Sequence, residues 1–130
     1  MTEPGASKPT IVAIDDDQLL LDLIKETLDA AGYDTQCTAQ GQQGLPLIRE
    51  RKPALVLLDI TLPDADGMEI LRQIRLEPGF GNMPVVMLTA RRTEQDVIGA
   101  RRLGANDYLI KPFKPEDLVA RMARLLQGNT

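Results

Sequence analysis

At 130 residues, with 43% hydrophobic, 26% charged and 3% aromatic side chains, the chain has the make-up of a single domain with an aliphatic core. A net charge of −4 argues against a direct nucleic-acid face, which needs basic surface to displace the counterions of the phosphates. The absence of histidine excludes a serine–histidine triad, a histidine base and imidazole zinc sites, and the single cysteine, Cys37, excludes an internal disulfide.

Met1 to Pro9 carries proline, glycine and serine without periodicity and is expected to be a flexible leader. It lacks the basic-then-apolar pattern of a signal peptide, and no apolar run approaches the roughly 20 residues that cross a bilayer, so a cytoplasmic protein without membrane contact is expected. Ile11–Ile14 predicts a first strand that stops at Asp15-Asp16-Asp17. Leu20, Leu23, Ile24, Leu28 and Ala31 then recur at helical spacing up to Gly32. Asp34–Thr38 predicts a weak polar strand and Gly41–Arg51 a helix, in which Pro46 falls early and implies a late start or a kink. Pro53 leads into Leu55–Leu58, a wholly apolar strand. The turn Pro63-Asp64-Ala65-Asp66-Gly67 follows, then a helix burying Ile70, Leu71 and Ile74, ended by Glu77-Pro78-Gly79. Val85–Leu88 predicts the fourth strand, Thr93–Leu103 a helix closed by Gly104, and Tyr108–Ile110 the fifth strand. Lys114–Gln127 predicts a last helix with Leu118, Met122, Leu125 and Leu126 on one face, leaving residues 128–130 as a tail or the start of a linker.

Strands alternating with helices imply parallel pairing, and strands apolar throughout suit a sheet covered on both faces. The fold class is therefore α/β, doubly wound, and functional groups are expected just past the carboxyl ends of the strands. Those ends carry Asp15 and Asp16, Asp59, Thr89 and Lys111. Carboxylates brought together repel and raise one another's pKa unless a cation lies between them. A hard divalent ion suits such oxygen ligands, Lys111 adds a second positive charge and Thr89 a hydroxyl. Together they would cradle a phosphoryl group, with Asp59 as nucleophile, because phosphoryl transfer needs mainly positioning and charge neutralisation.

Four segments carry a family resemblance: Ala13-Ile14-Asp15-Asp16-Asp17, Leu57 to Gly67 around Asp59, Leu88-Thr89-Ala90, and Ile110-Lys111-Pro112-Phe113. From about Thr10 to Gln127 the chain resembles the receiver domains of response regulators in two-component signalling. The stretch from Thr89 to Arg124 looks most like receivers that precede winged-helix DNA-binding domains. The resemblance implies a flavodoxin-like sheet of strand order 2-1-3-4-5 with five helices. It implies phosphorylation of Asp59 by a histidine kinase or histidine phosphotransfer protein. It implies Mg²⁺ (or Mn²⁺) held by Asp16, Asp59 and the backbone carbonyl of Thr61, with Asp15 holding metal-bound water, and Thr89 and Lys111 on the phosphoryl oxygens. Thr89 and Tyr108 would act as the switch that reshapes the surface of helix four, strand five and helix five. A homodimer through that surface would use charge pairs, with Asp107 and Arg121 as candidates. Lys111-Pro112 looks like the family's cis peptide. Thr61 and Arg91, each two residues past Asp59 and Thr89, occupy positions that in the family it resembles tune how water reaches the phosphate. Arg91, long and cationic, is expected to lie over the phosphoryl group and slow its hydrolysis.

Plainer roles account for other residues. Asp17 reads as a helix N-cap, Asp64 and Asp66 as turn chemistry feeding a helix, Gln40, Gln42 and Gln43 as solvated surface, and Cys37 as a small hydrophobe or an exposed side chain. Two rivals, a phosphatase and a flavodoxin-like or nucleotide-binding domain of the same topology, call for other residues. A haloacid-dehalogenase-type phosphatase needs a second aspartate two residues after its nucleophile, where this chain has Thr61. A nucleotide-binding domain needs a glycine-rich or hydroxyl-rich loop after the first strand, where three aspartates stand instead. No turnover of an external substrate is expected. A receiver that serves only as an unphosphorylated interaction module would be marked by loss of Asp59 or Lys111, and both are present.

Overall fold

A computed structural model describes residues 8–127; most of the expected leader and the 128–130 tail lie outside the described residues. The elements run β1 (Thr10–Ile14), α1 (Gln18–Ala30), β2 (Asp34–Thr38), a 3₁₀ turn (Gly41–Gln43), α2 (Gly44–Arg51), β3 (Leu55–Leu58), α3 (Gly67–Leu76), β4 (Val85–Thr89), α4 (Glu94–Arg102), β5 (Asp107–Ile110) and α5 (Pro115–Gln127). The strands form one parallel sheet in the order β2-β1-β3-β4-β5, the arrangement the resemblance implied. No helix among the described residues is long and apolar enough to cross a membrane.

The apolar strands are covered on both faces, and successive residues of β1, β3 and β4 alternate between two cores. Ile11, Ala13, Leu55, Leu57, Val86 and Leu88 point toward Ile24 and Leu28 of α1 and Leu118 and Met122 of α5. Val12, Ile14, Val56, Leu58, Val85 and Met87 point toward Ile48 of α2, Ile70, Leu71 and Ile74 of α3, and Ala100 of α4. Burial of a Leu, Ile or Val contributes roughly 1.5–3 kcal/mol, so these two aliphatic layers are the main source of stability.

Helix ends follow their local chemistry. Asp17 and Asp66 cap α1 and α3 by accepting from the N–H groups of Leu20 and Met68, and Thr93 caps α4 through the N–H of Asp96. Gly32 and Gly104, both at φ +103°, turn the chain out of α1 and α4. The α2 region starts late, as Pro46 implied: a 3₁₀ turn precedes Gly44, and Pro46 falls in the first helical turn, where its missing N–H costs nothing. Asp64 holds that start, accepting from the N–H groups of Gly41 and Gln42 at 2.9 and 3.0 Å, a contact across the fold rather than within its own turn.

One expectation is corrected in α1. The spacing of Leu23 and Ala31 with Ile24 and Leu28 implies one inward stripe, but Leu23 is 41% exposed, Ala31 is exposed at the helix end, and Leu21, Ile24 and Leu28 form the buried line. Four leucines and an isoleucine lie within the first seven residues of this helix, so two stripes offset by about 100° match the pattern equally well. Leu19, at 82% exposed, lies farther out still.

Candidate functional site

Parallel register sets the site. Ile14 pairs with Leu58 and Thr89 with Ile110, so the next residues, Asp15, Asp59 and Lys111, leave the sheet at its carboxyl edge together with Thr89. The Asp59 N–H donates to the carbonyl of Ile14 at 3.0 Å and the Lys111 N–H to that of Thr89 at 2.8 Å, extending the strand ladders into the site. Asp15, Asp59 and Thr89 are all buried, at 2%, 6% and 1% exposure, while Asp16 faces solvent.

Lys111 holds the centre. Its Nζ lies 2.6 Å from Asp15 Oδ2 and donates to Asp59 Oδ2 at 3.0 Å. The peptide N–H groups of Asp17 and Thr61 donate to Asp15 Oδ1 and Asp59 Oδ1 at 2.9 and 3.2 Å, so each carboxylate has one oxygen on the backbone and one at the lysine. Burial pushes the Asp15 carboxyl above its ordinary range, with Lys111 and the Asp17 N–H opposing it. Burial works against the Lys111 charge, but the two carboxylates outweigh it and raise the ammonium's pKa, so it stays protonated.

Oxygen atoms of Asp15, Asp16 and Asp59 lie within 4.8 Å of one another. Asp15 Oδ2 is fully enclosed and, despite its closeness to Lys111, takes part in no hydrogen bond of good geometry. Three carboxylates against one lysine leave an excess of negative charge, and the donors are all oxygen. A hard divalent cation fits this set.

Around this centre lie the remaining expected residues. The Thr89 hydroxyl accepts from the Arg91 N–H at 3.3 Å, which leaves its own proton to be donated. Tyr108 is turned inward, with its hydroxyl donating to the Arg91 carbonyl at 2.9 Å. The Arg91 guanidinium reaches across the site mouth, where Nε donates to Thr61 Oγ1 at 2.9 Å and Nη1 lies 3.5 Å from Asp96. Arg91 thus joins the loops after β3 and β4, and its own peptide N–H and carbonyl are the partners of both expected switch residues, Thr89 and Tyr108. Lys111-Pro112 is cis, as the resemblance implied.

Asp107 and Arg121 lie apart from the site, where β5 meets α5; Asp107 is buried, and the two pair within one chain at 2.8 Å. Arg124 joins them on the other carboxylate oxygen, a partner the sequence reading missed although it follows Arg121 by one helical turn. Also missed was Arg75. It donates to the carbonyls of Gly104 and Phe80 and to Asn106 Oδ1, tying the end of α3 to the loops that lead into β4 and β5, with no carboxylate nearby to flag it.

Residues 11–123 match the response regulator receiver domain family. The DNA-binding response regulator MtrA of Mycobacterium tuberculosis is 41% identical over 119 residues, which cover 92% of this chain and 51% of that protein. The chain spans about half the length of the curated relatives it matches. Among solved structures, Vibrio cholerae chemotaxis protein CheY4 aligns with a TM-score of 0.88 at 26% identity, covering 92% of this chain and all of that one. DrrB of Thermotoga maritima, an OmpR/PhoB homolog, aligns with a TM-score of 0.83 at 32% identity over 95% of this chain and 54% of its own. With the sheet order, the acidic cluster around Lys111 and these relatives in agreement, the chain belongs to the response regulator receiver family.

Proposed function

We propose that the chain is a phosphorylation-driven signalling switch that accepts a phosphoryl group on Asp59. The observation that carries the proposal is the placement of Lys111 Nζ between Asp15 and Asp59 at 2.6 and 3.0 Å, at the end of a buried parallel sheet. The donor would be a phosphohistidine on a histidine kinase or phosphotransfer protein, since this chain has no histidine of its own. An Asp59 carboxylate oxygen attacks phosphorus, the O–P bond forms as the donor's P–N bond breaks, and the imidazole leaves with the electron pair. From a small acyl phosphate the leaving group is the carboxylate. Lys111 and the Thr89 hydroxyl stabilise charge on the transferring oxygens.

The carboxylates of Asp15, Asp16 and Asp59 and the carbonyl of Thr61 would hold Mg²⁺ or Mn²⁺, which neutralises negative charge where the phosphoryl group arrives. Reversal by water would regenerate the Asp59 carboxylate and release inorganic phosphate. Arg91, already spanning the site mouth to Thr61, would lie over the phosphoryl group and slow that step.

A Thr89 hydroxyl turned toward the phosphoryl group would give up the Arg91 N–H, and the Arg91 carbonyl in turn holds Tyr108. This link supports a change in the α4–β5–α5 surface that controls dimerisation or partner binding. A homodimer using Asp107 and Arg121 would exchange the intramolecular pair for one between chains, with Arg124 remaining on Asp107. The receiver would occupy residues 10–127, and any DNA contact would fall to a partner or a further domain.

The direct test is incubation with Mg²⁺ and acetyl phosphate, followed by intact mass and oligomeric size. Wild type is expected to gain one phosphoryl group and Asp59→Asn none. A label that persists in Asp59→Asn, or none in wild type from any donor, would refute the mechanism.

A further inference from the structure

Gly67 is the first residue of α3, is fully packed, and does not have the left-handed backbone that calls for glycine. The N-cap, where glycine is favoured, is filled by Asp66, so glycine at the first helical position needs another reason. A Cβ at Gly67 would lie 2.0 Å from the Asp59 carbonyl oxygen, 2.6 Å from Ile60 Cα and 2.9 Å from the Asp59 carbonyl carbon. Other glycines also lack room: a Cβ on Gly104 would meet Arg75 Nε at 2.7 Å, and one on Gly44 would meet Ile14 Cδ1 at 2.7 Å. Those obstacles are side-chain atoms. At Gly67 every obstacle is backbone, and the backbone is that of the phosphoacceptor.

Both partners in this contact are pinned. The Gly67 N–H donates to the Ile60 carbonyl at 2.8 Å, Thr61 and Asp66 form an antiparallel bridge, and Asp66 caps the helix. On the other side, Asp59 is held through its N–H by Ile14, through Oδ1 by the Thr61 N–H and through Oδ2 by Lys111. An added methyl group would have to displace the Asp59–Ile60 peptide or lift the first turn of α3, and either motion moves the carboxylate or the Thr61 carbonyl.

We propose that Gly67 is a positioning residue for phosphoryl transfer: its missing side chain lets the first turn of α3 rest on the Asp59–Ile60 peptide and fixes Asp59 against Lys111, Asp15 and Asp16. This rests on the reading of Asp59 as phosphoacceptor. Misplacement of a reacting group by about 1 Å costs on the order of a hundredfold in rate. Gly67→Ala is therefore expected to accept phosphate from acetyl phosphate about a hundredfold more slowly at saturating Mg²⁺ and donor. In metal-free NMR spectra, its amide signals at Asp59, Ile60 and Thr61 should shift. Gly104→Ala, strained by its positive φ but remote from Asp59, serves as the control for lost stability. It should keep both the rate and those signals.

If wild type takes no label from any donor, the reading of Asp59 fails and the role of Gly67 in phosphoryl transfer falls with it. If wild type is labelled and folded Gly67→Ala matches its rate, or slows only in proportion to its unfolded fraction, the positioning role is overturned. Should Gly67→Ala not fold, Asp66→Ala loosens the same helical turn without adding atoms. It is expected to slow labelling several-fold, and a wild-type rate would overturn the proposal.

Discussion

Cys37 packs on the α1 side of β2, its thiol 3.9 Å from the Leu21 carbonyl, and burial pushes its pKa up to about 11 from an ordinary 9.0. The sign follows directly: the folded chain keeps the proton, so this contribution to stability is complete below pH 9.0 and is lost as pH rises through about 11. Thiolate at pH 8 should be roughly a hundredfold scarcer than in an unfolded chain. Iodoacetamide labelling should be correspondingly slow and climb with pH, with the urea-unfolded chain as comparison. Arg91 gives a second prediction at this scale. Removing a cation that screens the site mouth should lower the hydrolysis barrier by about 1 kcal/mol, so Arg91→Ala should shorten the phosphorylated half-life roughly fivefold. Loss of phosphate followed by intact mass checks this, and an unchanged half-life would discard the screening role. Asp15, Asp59, Thr89 and Lys111 were legible in the sequence because each sits directly after a run of apolar residues, where strand periodicity fixes its height. Arg75 and Arg124 were not, because their partners are carbonyls and a distant carboxylate that no local pattern announces.

Helix ends carry the predictions at the next scale. α2 closes on Lys52, whose φ of 47° is the left-handed conformation glycine usually supplies. The strain is about 1–2 kcal/mol and the added unfolded-state freedom of glycine takes back part of it, so Lys52→Gly should stabilise the fold by about 0.5–1 kcal/mol in urea denaturation. Arg75 acts across elements. Arg75→Ala should cost about 2 kcal/mol through its lost charge-assisted hydrogen bonds. It should also speed amide exchange at Leu103 to Asn106 while leaving α1 and α5 unchanged. At this scale the sequence was clear wherever period and punctuation agreed, as in α3, where Ile70, Leu71 and Ile74 are buried as expected. It was ambiguous in α1, where a leucine-rich stretch matched two faces, and only packing against β1 and α5 selected Leu21 over Leu23.

For the molecule as a whole, the three clustered carboxylates of Asp15, Asp16 and Asp59, two of them on Lys111, predict that folding responds to cations. Mg²⁺ that binds only the folded chain at a hundredfold excess over its Kd should add about 2.7 kcal/mol of stability. Tm should rise by several degrees in wild type and hardly at all in Asp16→Asn. An equal rise in both would exclude Asp16 from the binding site. The Asp107 clamp has a consequence of a different kind. β5 forms one open border of the sheet, and an unpaired strand is a template onto which another chain can add. A buried carboxylate at the start of that strand, gripped by two guanidinium groups from α5, makes the border unattractive to an incoming strand. The same ion pairs that tie α5 to the sheet therefore also guard against polymerisation, and chains lacking Arg121 and Arg124 should scatter light on warming before they lose their helices.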